Sequence, residues 1–527
     1  MSDVLRKCTS RSTVAAPKAI SVLALVVALC DSSLALALGP DAKDTMAIWS
    51  QHAITTLPSD KRESLDVLGR DAKTGGLVVR GPRQLLDLVR HFGVSSFNGK
   101  TPWSTTQSAD GYLEPHEVVD ELASLAQANP NHMRLETIGQ SHQGRPIVAL
   151  IIERDAAQQD PKQDPYRPTI VFDGMHHARE VMTTEVVVSI AKAFSEALQG
   201  TAEDQELVHW ANTYRIVLAP QINPDGSALV HSGQPLWRKN AWQDSNKTVG
   251  VDLNRNYPSY WGACSGSSGR GSSDTYRGPS PASEPETRAF MDLVANYGPV
   301  ATISYHAFSE LIIFPYGCNE VNNPARDVFV SLAQAMNNSI RNDRGRTSAY
   351  DIGTAPELLY NADGTDLDWQ WDEHGVFAYT IEINSSPQGF QPEYARWRDR
   401  TVQNQAGGWR AMIRQLEGPG LSGNLSLDAA QTGDWRAVGY TLEKDTSGDQ
   451  GKGAAEPLGW QPFAADLKGT KRFPLRDAQG QFYVLTTPGR YRLRFWLGDR
   501  VVAEHVAEVG STHRNLGSIA LEPGQGS

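Results

Sequence analysis

Cysteine is scarce in this 527-residue chain: Cys8 and Cys30 lie near the start, Cys264 and Cys318 in the middle, and there are no others. Four residues so far apart exclude a small disulfide-framework protein and a cysteine-built zinc module. Basic charge is also short, with 49 Lys and Arg against 60 Asp and Glu, a net charge of −11 and no basic run. That balance argues against nucleic acid as a partner. No apolar stretch after residue 30 is long enough to span a bilayer, so no stable membrane insertion is expected. No internal repeat is present.

What stands at the beginning is an export pattern. Arg6, Lys7, Arg11 and Lys18 precede the apolar run from Ala19 to Cys30, and Ala35-Leu-Ala37 supplies a small-x-small cleavage site. Residues 1–37 are therefore expected to be a signal peptide, and the mature protein a soluble, exported monomer. A lipid anchor on Cys30 is disfavoured by Leu29, which occupies a position that needs a small side chain.

Chemistry concentrates in Gly174-Met-His-His-Ala-Arg-Glu180, just after the apolar run Thr169-Ile-Val-Phe-Asp173. His177 and Glu180 on one short turn supply two of the three protein ligands of a catalytic zinc and leave a fourth position for water. Alone the pair is weak, since with 13 His and 60 acidic residues such a spacing arises roughly once by chance. An exposed His beside a helix-start Glu is the plain alternative. A candidate third ligand is His306, at the end of the β-branched, aromatic strand Val300-Ala-Thr-Ile-Ser-Tyr-His306, where parallel-type sheets place ligands and catalysts. Glu382 sits near the end of another apolar strand, Val376 to Ile383. It is either a salt-bridged core carboxylate or a general base, because an unpaired buried carboxylate is costly.

Taken in order, these pieces resemble the zinc carboxypeptidase family, the digestive carboxypeptidase A and B group with its bacterial relatives. His177-Ala-Arg-Glu180 is similar to the family's first metal motif. Asn223-Pro-Asp-Gly226, Leu236-Trp-Arg-Lys239, Val251-Asp-Leu-Asn-Arg-Asn256, Ser304-Tyr-His306 with Pro315-Tyr-Gly317, Tyr360 before Asp368-Trp369, and Tyr379-Thr-Ile-Glu382 follow. The resemblance spans about residues 110 to 417 and implies a peptidase with one Zn2+ per catalytic domain, held by His177, Glu180 and His306. It implies Glu382 as the base that takes a proton from the attacking water and Arg238 as the fixed charge at the oxyanion. Asp252 would orient His177 from behind. Asn254 and Arg255 match the clamp for a terminal carboxylate, and so imply an exopeptidase acting on peptides with a free C-terminus. Tyr360 matches the tyrosine that closes over substrate, and Arg179 a contact further from the scissile bond. Phe308 and Ala307 replace a frequent Tyr and Ser, which bears on subsites and not on the metal. The resemblance also puts Cys264 and Cys318 in loops near the site, where a bridge is favoured over two separate thiols.

The implied catalytic domain, residues 109–417, is α/β: a mixed, twisted sheet with helices on both faces. Pro115–Ala128 and Thr184–Leu198 have helical periodicity, and so does Glu393–Leu416; Ser283-Glu-Pro-Glu286 is spaced for a capping box opening a helix through Val294. Residues 38–108 contain a strand-turn-strand pattern from Leu65 to Val79 and helical spacing from Pro82 to Arg90. This small α/β unit is either a propeptide that covers the cleft or a permanent module. Residues 418–527 are Gly-punctuated and all-β, and Thr487-Pro-Gly-Arg-Tyr491 resembles the strand entry of transthyretin-like sandwiches.

Within the resemblance, Leu367 falls at the floor of the specificity pocket, where basic-specific relatives carry Asp. An apolar floor favours Phe, Leu, Tyr and Met at the substrate's end. Asp363 and Asp366 leave open a mixed specificity that includes Lys and Arg, and action on cell-wall peptides is a further alternative. A non-catalytic zinc-dependent binding module is disfavoured by the joint presence of Glu382 and Arg238.

Overall fold

The computed structural model describes residues 45–82 apart from 52–53, 55–56, 58, 63 and 72, then 107–156, 167–426 apart from 246, and 437–521 apart from 448–458, 464, 467–468 and 476–479. The expected signal segment and all of the expected Pro82–Arg90 helix except Pro82 itself lie outside the described residues.

Eight strands form the central sheet. In chain order they are β4 (Met133–Gln140), β5 (Pro146–Ile152), β6 (Thr169–Gly174), β7 (Arg215–Ala219), β8 (Ala301–Ala307), β9 (Leu311–Ile313), β10 (Asp351–Gly353) and β11 (Phe377–Ile383). They lie side by side in the order β10-β9-β11-β8-β6-β7-β5-β4. The four strands β7, β6, β8 and β11 are parallel to one another, while β5 joins β7 and β9 joins β11 antiparallel. Parallel central strands need cover on both faces, and β6, β7 and β8 are buried at every position.

Alternation along each strand sorts these side chains into two cores. Ile170 and Phe172 of β6 join Val186, Ile190 and Phe194 of the helix Met182–Leu198 on one face. Val171 between them, with Val217 of β7, joins Phe290 and Leu293 of the helix Pro285–Tyr297 and Trp369 of the helix Asp366–His374 on the other. The helix expected at Pro115–Ala128 is present with those bounds and is closed by a Glu114/Glu117 capping box. The box expected from Ser283 and Glu286 does not form. That helix begins at Pro285 with Glu284 as its N-cap. Glu286 is fully buried and accepts from Asn240 Nδ2 at 3.1 Å and His142 N at 3.3 Å, so tertiary partners occupy the carboxylate that the box required.

Preceding this domain, β1 (Thr45–Trp49), β2 (Asp66–Arg70) and β3 (Leu77–Gly81) form an antiparallel sheet in the order β1-β3-β2. Trp49, Leu65, Leu77 and Val79 pack into one cluster with Leu311, Ile313, Leu359 and Leu367 of the central α/β domain. Beyond Gly420 the elements among the described residues are all strands, with one sheet built on Gly420–Ser426 and another on Val438–Asp445 and Gly489–Leu497. This region is fixed to the central α/β domain by Phe473 and Phe463 against Trp371 and by the Lys471–Asp372 ion pair at 2.5 Å. No helix among the described residues is long and apolar enough to cross a membrane.

Candidate active site

Three ligand candidates converge where β6 and β8 end. His177 and Glu180 lie in the turn between β6 and the following helix, and His306 is the penultimate residue of β8. His177 Nδ1 stands 2.9 Å from Glu180 Oε1, His306 Nδ1 is 3.0 Å from Glu180 Oε2, and the two Nδ1 atoms are 3.1 Å apart. All three residues are buried, and their donor atoms fall within 4.8 Å of one another. His177 Nε2 meets Asp252 Oδ1 at 3.2 Å, so that nitrogen carries the proton and Nδ1 offers its lone pair to the common point. Burial, followed by the charge of Arg238, lowers His177 to about 4 and keeps it neutral. Burial alone would lower His306 as well, but Glu180 outweighs it and the group rises to about 9. The point between them thus favours positive charge. Two imidazoles, one carboxylate and an oriented tautomer fit a zinc ion.

Asp252 serves three neighbours, one of them Asn254, whose N donates to Oδ1 at 3.0 Å. Asp252 Oδ1 also holds His177, and its Oδ2 accepts from Arg238 Nε at 3.0 Å and Nη2 at 2.9 Å. Burial opposes the charge on Asp252, yet Arg238 and His177 hold it well below the usual carboxylate range. The guanidinium of Arg238 is therefore locked beside the metal candidate by the same carboxylate that orients a ligand.

Sheet register places Glu382. In the parallel pair β8/β11, His306 lies directly beside Glu382. Burial first, and then the charge of Glu180, pushes Glu382 up to about 8, a carboxyl poised to exchange a proton near neutral pH. Both line a cavity of about 60 Å³ together with Arg238, Asn254, Arg255, Tyr360 and Leu367. Arg255 is held by its own bonds to Asn254 O and Gly266 O, and its Cζ lies 6.0 Å from the Tyr360 ring. Ile313, Leu359, Ala362 and Leu367 give the cavity its apolar lining, and Thr380 adds a hydroxyl-bearing side chain. Thr380 was legible in principle, because it sits two residues before Glu382 and shares its face of β11.

Neither open carboxylate lines that cavity. Asp363 accepts from Cys264 N and Gly266 N, each at 2.9 Å, and from the Ser267 hydroxyl. It ties down the loop that the Cys264–Cys318 disulfide also anchors, with Cα atoms 5.8 Å apart. Asp366 is fully buried, accepts from Gln370 Nε2, and lies near His176 and Asp173, and burial raises its carboxyl.

Arg179 and Phe308 are buried beneath β2 instead of lining the catalytic cavity. Arg179 pairs with Asp66 of β2, and its Cζ lies 4.2 Å from the Phe390 ring. Gly69 of β2, at φ +156°, comes so near that an added Cβ would meet Phe308 O at 2.6 Å. Val67, Leu68 and Gly69 themselves line the catalytic cavity. No sequence pattern singles out Asp66, whose partner is 113 residues away.

Comparison with known proteins agrees with this geometry. The sequence profile described as zinc carboxypeptidase matches residues 118–405. The chain is 28% identical over 315 residues to carboxypeptidase A2 of Mus musculus, covering 59% of this chain and 72% of that one. To carboxypeptidase A1 of Homo sapiens it is 29% identical over 293 residues, covering 55% and 67%. Among solved structures, carboxypeptidase A from Helicoverpa armigera aligns with a TM-score of 0.55 at 24% identity over 70% of this chain and 96% of that one, a likeness of fold.

Proposed function

Because this chain belongs to the zinc carboxypeptidase family, a hydrolase family that uses Zn2+, we propose that it is an exported exopeptidase that removes the C-terminal residue of peptides and proteins. The observation that carries this reading is the meeting, in one cavity, of the His177, Glu180 and His306 donors, the register-matched Glu382 and the carboxylate clamp Arg255.

When bound by those three donors, zinc supplies Lewis acidity toward water and the scissile carbonyl. Arg255 pairs with the terminal carboxylate of the peptide and, with Asn254, fixes its register. Tyr360, whose ring lies 6.0 Å from Arg255 Cζ, covers the bound residue. Glu382, protonatable near neutral pH, takes the proton from the attacking water and returns it to the leaving amine. Arg238, immobilised by Asp252, stabilises the negative charge that develops on the carbonyl oxygen. Leu367, with Ile313, Leu359 and Ala362, forms an apolar end for the departing residue, so Phe, Leu, Tyr and Met are preferred. Asp363 and Asp366, engaged elsewhere, give no counter-charge for Lys or Arg.

Residues 38–108 act as a propeptide in this reading, because β2 lines the catalytic cavity and occupies Arg179. Export rests on the N-terminal apolar segment and agrees with the disulfide, which persists in oxidising compartments. The enzyme works as a monomer. Zinc removal by a chelator should abolish hydrolysis and added zinc restore it. Glu382→Gln should retain one zinc by metal analysis while kcat falls by several orders of magnitude, and an undiminished kcat in that variant refutes the role of Glu382.

A further inference from the structure

A second cavity, about 230 Å³, lies between the N-terminal segment and the catalytic domain. It shares only Val67 and Tyr360 with the catalytic cavity. Two guanidinium groups line it, Arg62 from the segment and Arg277 from the domain, and among the described residues no carboxylate does. Both Nε atoms are buried without a hydrogen-bond partner. Among the described residues the Arg62 side chain makes no hydrogen bond or ion pair at all. Arg277 is held in place from its other side, with Nη1 on Ser267 O at 3.2 Å and Cζ 5.0 Å from the Trp261 ring, and its Nε remains unused.

Donors on a fixed positive charge are best satisfied by an anion. Here the Arg62 guanidinium, without a hydrogen bond or ion pair among the described residues, and the Arg277 guanidinium line one cavity. We propose that this cavity binds a small oxyanion between Arg62 and Arg277, and that the bound anion fastens the N-terminal segment to the catalytic domain. The guanidinium edge matches a carboxylate or a phosphate in the same way, so the shared chemistry is the planar or tetrahedral set of oxygens. Ser265, Thr275 and Asn361 add polar groups to the lining, and Ile54 and Leu65 give it an apolar wall that suits a short hydrocarbon tail. A zwitterionic amino acid is disfavoured, because among the described residues no carboxylate lines the cavity to meet its ammonium group.

One arginine comes from each side, so the anion binds the docked arrangement and stabilises it by linkage. This holds whether or not the catalytic reading is correct, and its test does not use activity. Calorimetric titration of the full chain at constant ionic strength, with chloride as the background anion, would use inorganic phosphate, isovalerate and leucine as probes. Saturable one-to-one binding of phosphate or isovalerate is expected, at least tenfold weaker in Arg62→Gln and in Arg277→Gln, with the unfolding midpoint of the full chain raised by the probe only where it binds. Tighter binding of isovalerate identifies an organic carboxylate as the ligand class, and tighter binding of phosphate an inorganic oxyanion. Binding unchanged in Arg62→Gln, or no saturable heat from either anion, overturns the proposal. Should Arg277→Gln fail to fold, Arg62→Gln decides alone. Leucine bound as tightly as isovalerate would contradict the charge argument on which the site is built.

Discussion

Asp66 and Arg179 form a two-pronged ion pair between the N-terminal segment and the turn that carries His177 and Glu180, with Oδ2 to Nη1 at 2.8 Å and Oδ1 to Nη2 at 3.2 Å. Both side chains are buried, and Arg80 adds a second guanidinium to Asp66 at 2.8 Å. Burial opposes the charge of Asp66, but Arg179 and Arg80 together hold it far below the usual carboxylate range. Breaking one side of such a pair leaves a buried charge uncompensated, which costs about 3–5 kcal/mol.

That cost gives the first prediction. Asp66→Asn should loosen the segment, and the full chain should hydrolyse a small peptide at least tenfold faster than the parent full chain. After limited proteolysis has removed the segment from both, their kcat/KM should be equal. Identical rates before proteolysis would mean that the pair does not control access.

Glu310 supplies a pH dependence. Burial, followed by the nearby charge of Asp343, raises its carboxyl from 4.5 to about 7 in spite of Arg344 and Arg346. A carboxyl that binds its proton more tightly when folded is fully stabilising below its unfolded value. That contribution is lost as pH rises from 4.5 toward 7. Glu310→Gln keeps an acceptor for Asp343 N, which now sits 2.7 Å from Glu310 Oε1. The variant should match the parent near pH 4 and exceed it at pH 8 by about 1–3 kcal/mol in denaturant unfolding. A difference independent of pH would refute the assignment.

In the proposed reading, specificity turns on Leu367. Placing a charge at the floor with Leu367→Asp should shift release from Phe and Leu toward Lys and Arg by a factor of about 10 or more in relative kcat/KM, because an unpaired cation in the parent pocket is penalised. Mass-spectrometric profiling of peptides varied at the last residue measures this. If the parent already released Lys and Arg preferentially, the apolar floor would not set the preference.

Much of this was legible in the sequence because the chemistry is local or periodic. His177 and Glu180 share a turn, and the strands carrying His306 and Glu382 announce themselves as β-branched runs. That His306 and Glu382 lie side by side is a matter of register between distant strands, which composition does not encode. The Ser283/Glu286 capping box failed for a similar reason, since Asn240 and His142 claim the Glu286 carboxylate through tertiary contacts. Asp363 is ambiguous in sequence and is accounted for by the loop amides around Cys264, whereas Asp366 is placed by burial near His176 and Asp173, with Oδ2 on Gln370 Nε2. Asp66 carried no signal at all, because a lone Asp at the start of a strand is common and its meaning lies in Arg179.

The central claim is that Arg255 holds a free terminal carboxylate beside the zinc site, and a pair of peptides tests it. The two share one sequence ending in Phe, one with a free C-terminus and one amidated, and each is incubated with the zinc-loaded enzyme after removal of the N-terminal segment. Release of Phe from the free peptide at a kcat/KM at least a hundredfold above that for the amide is the predicted result. Equal cleavage of both, or cuts at internal bonds, would contradict it.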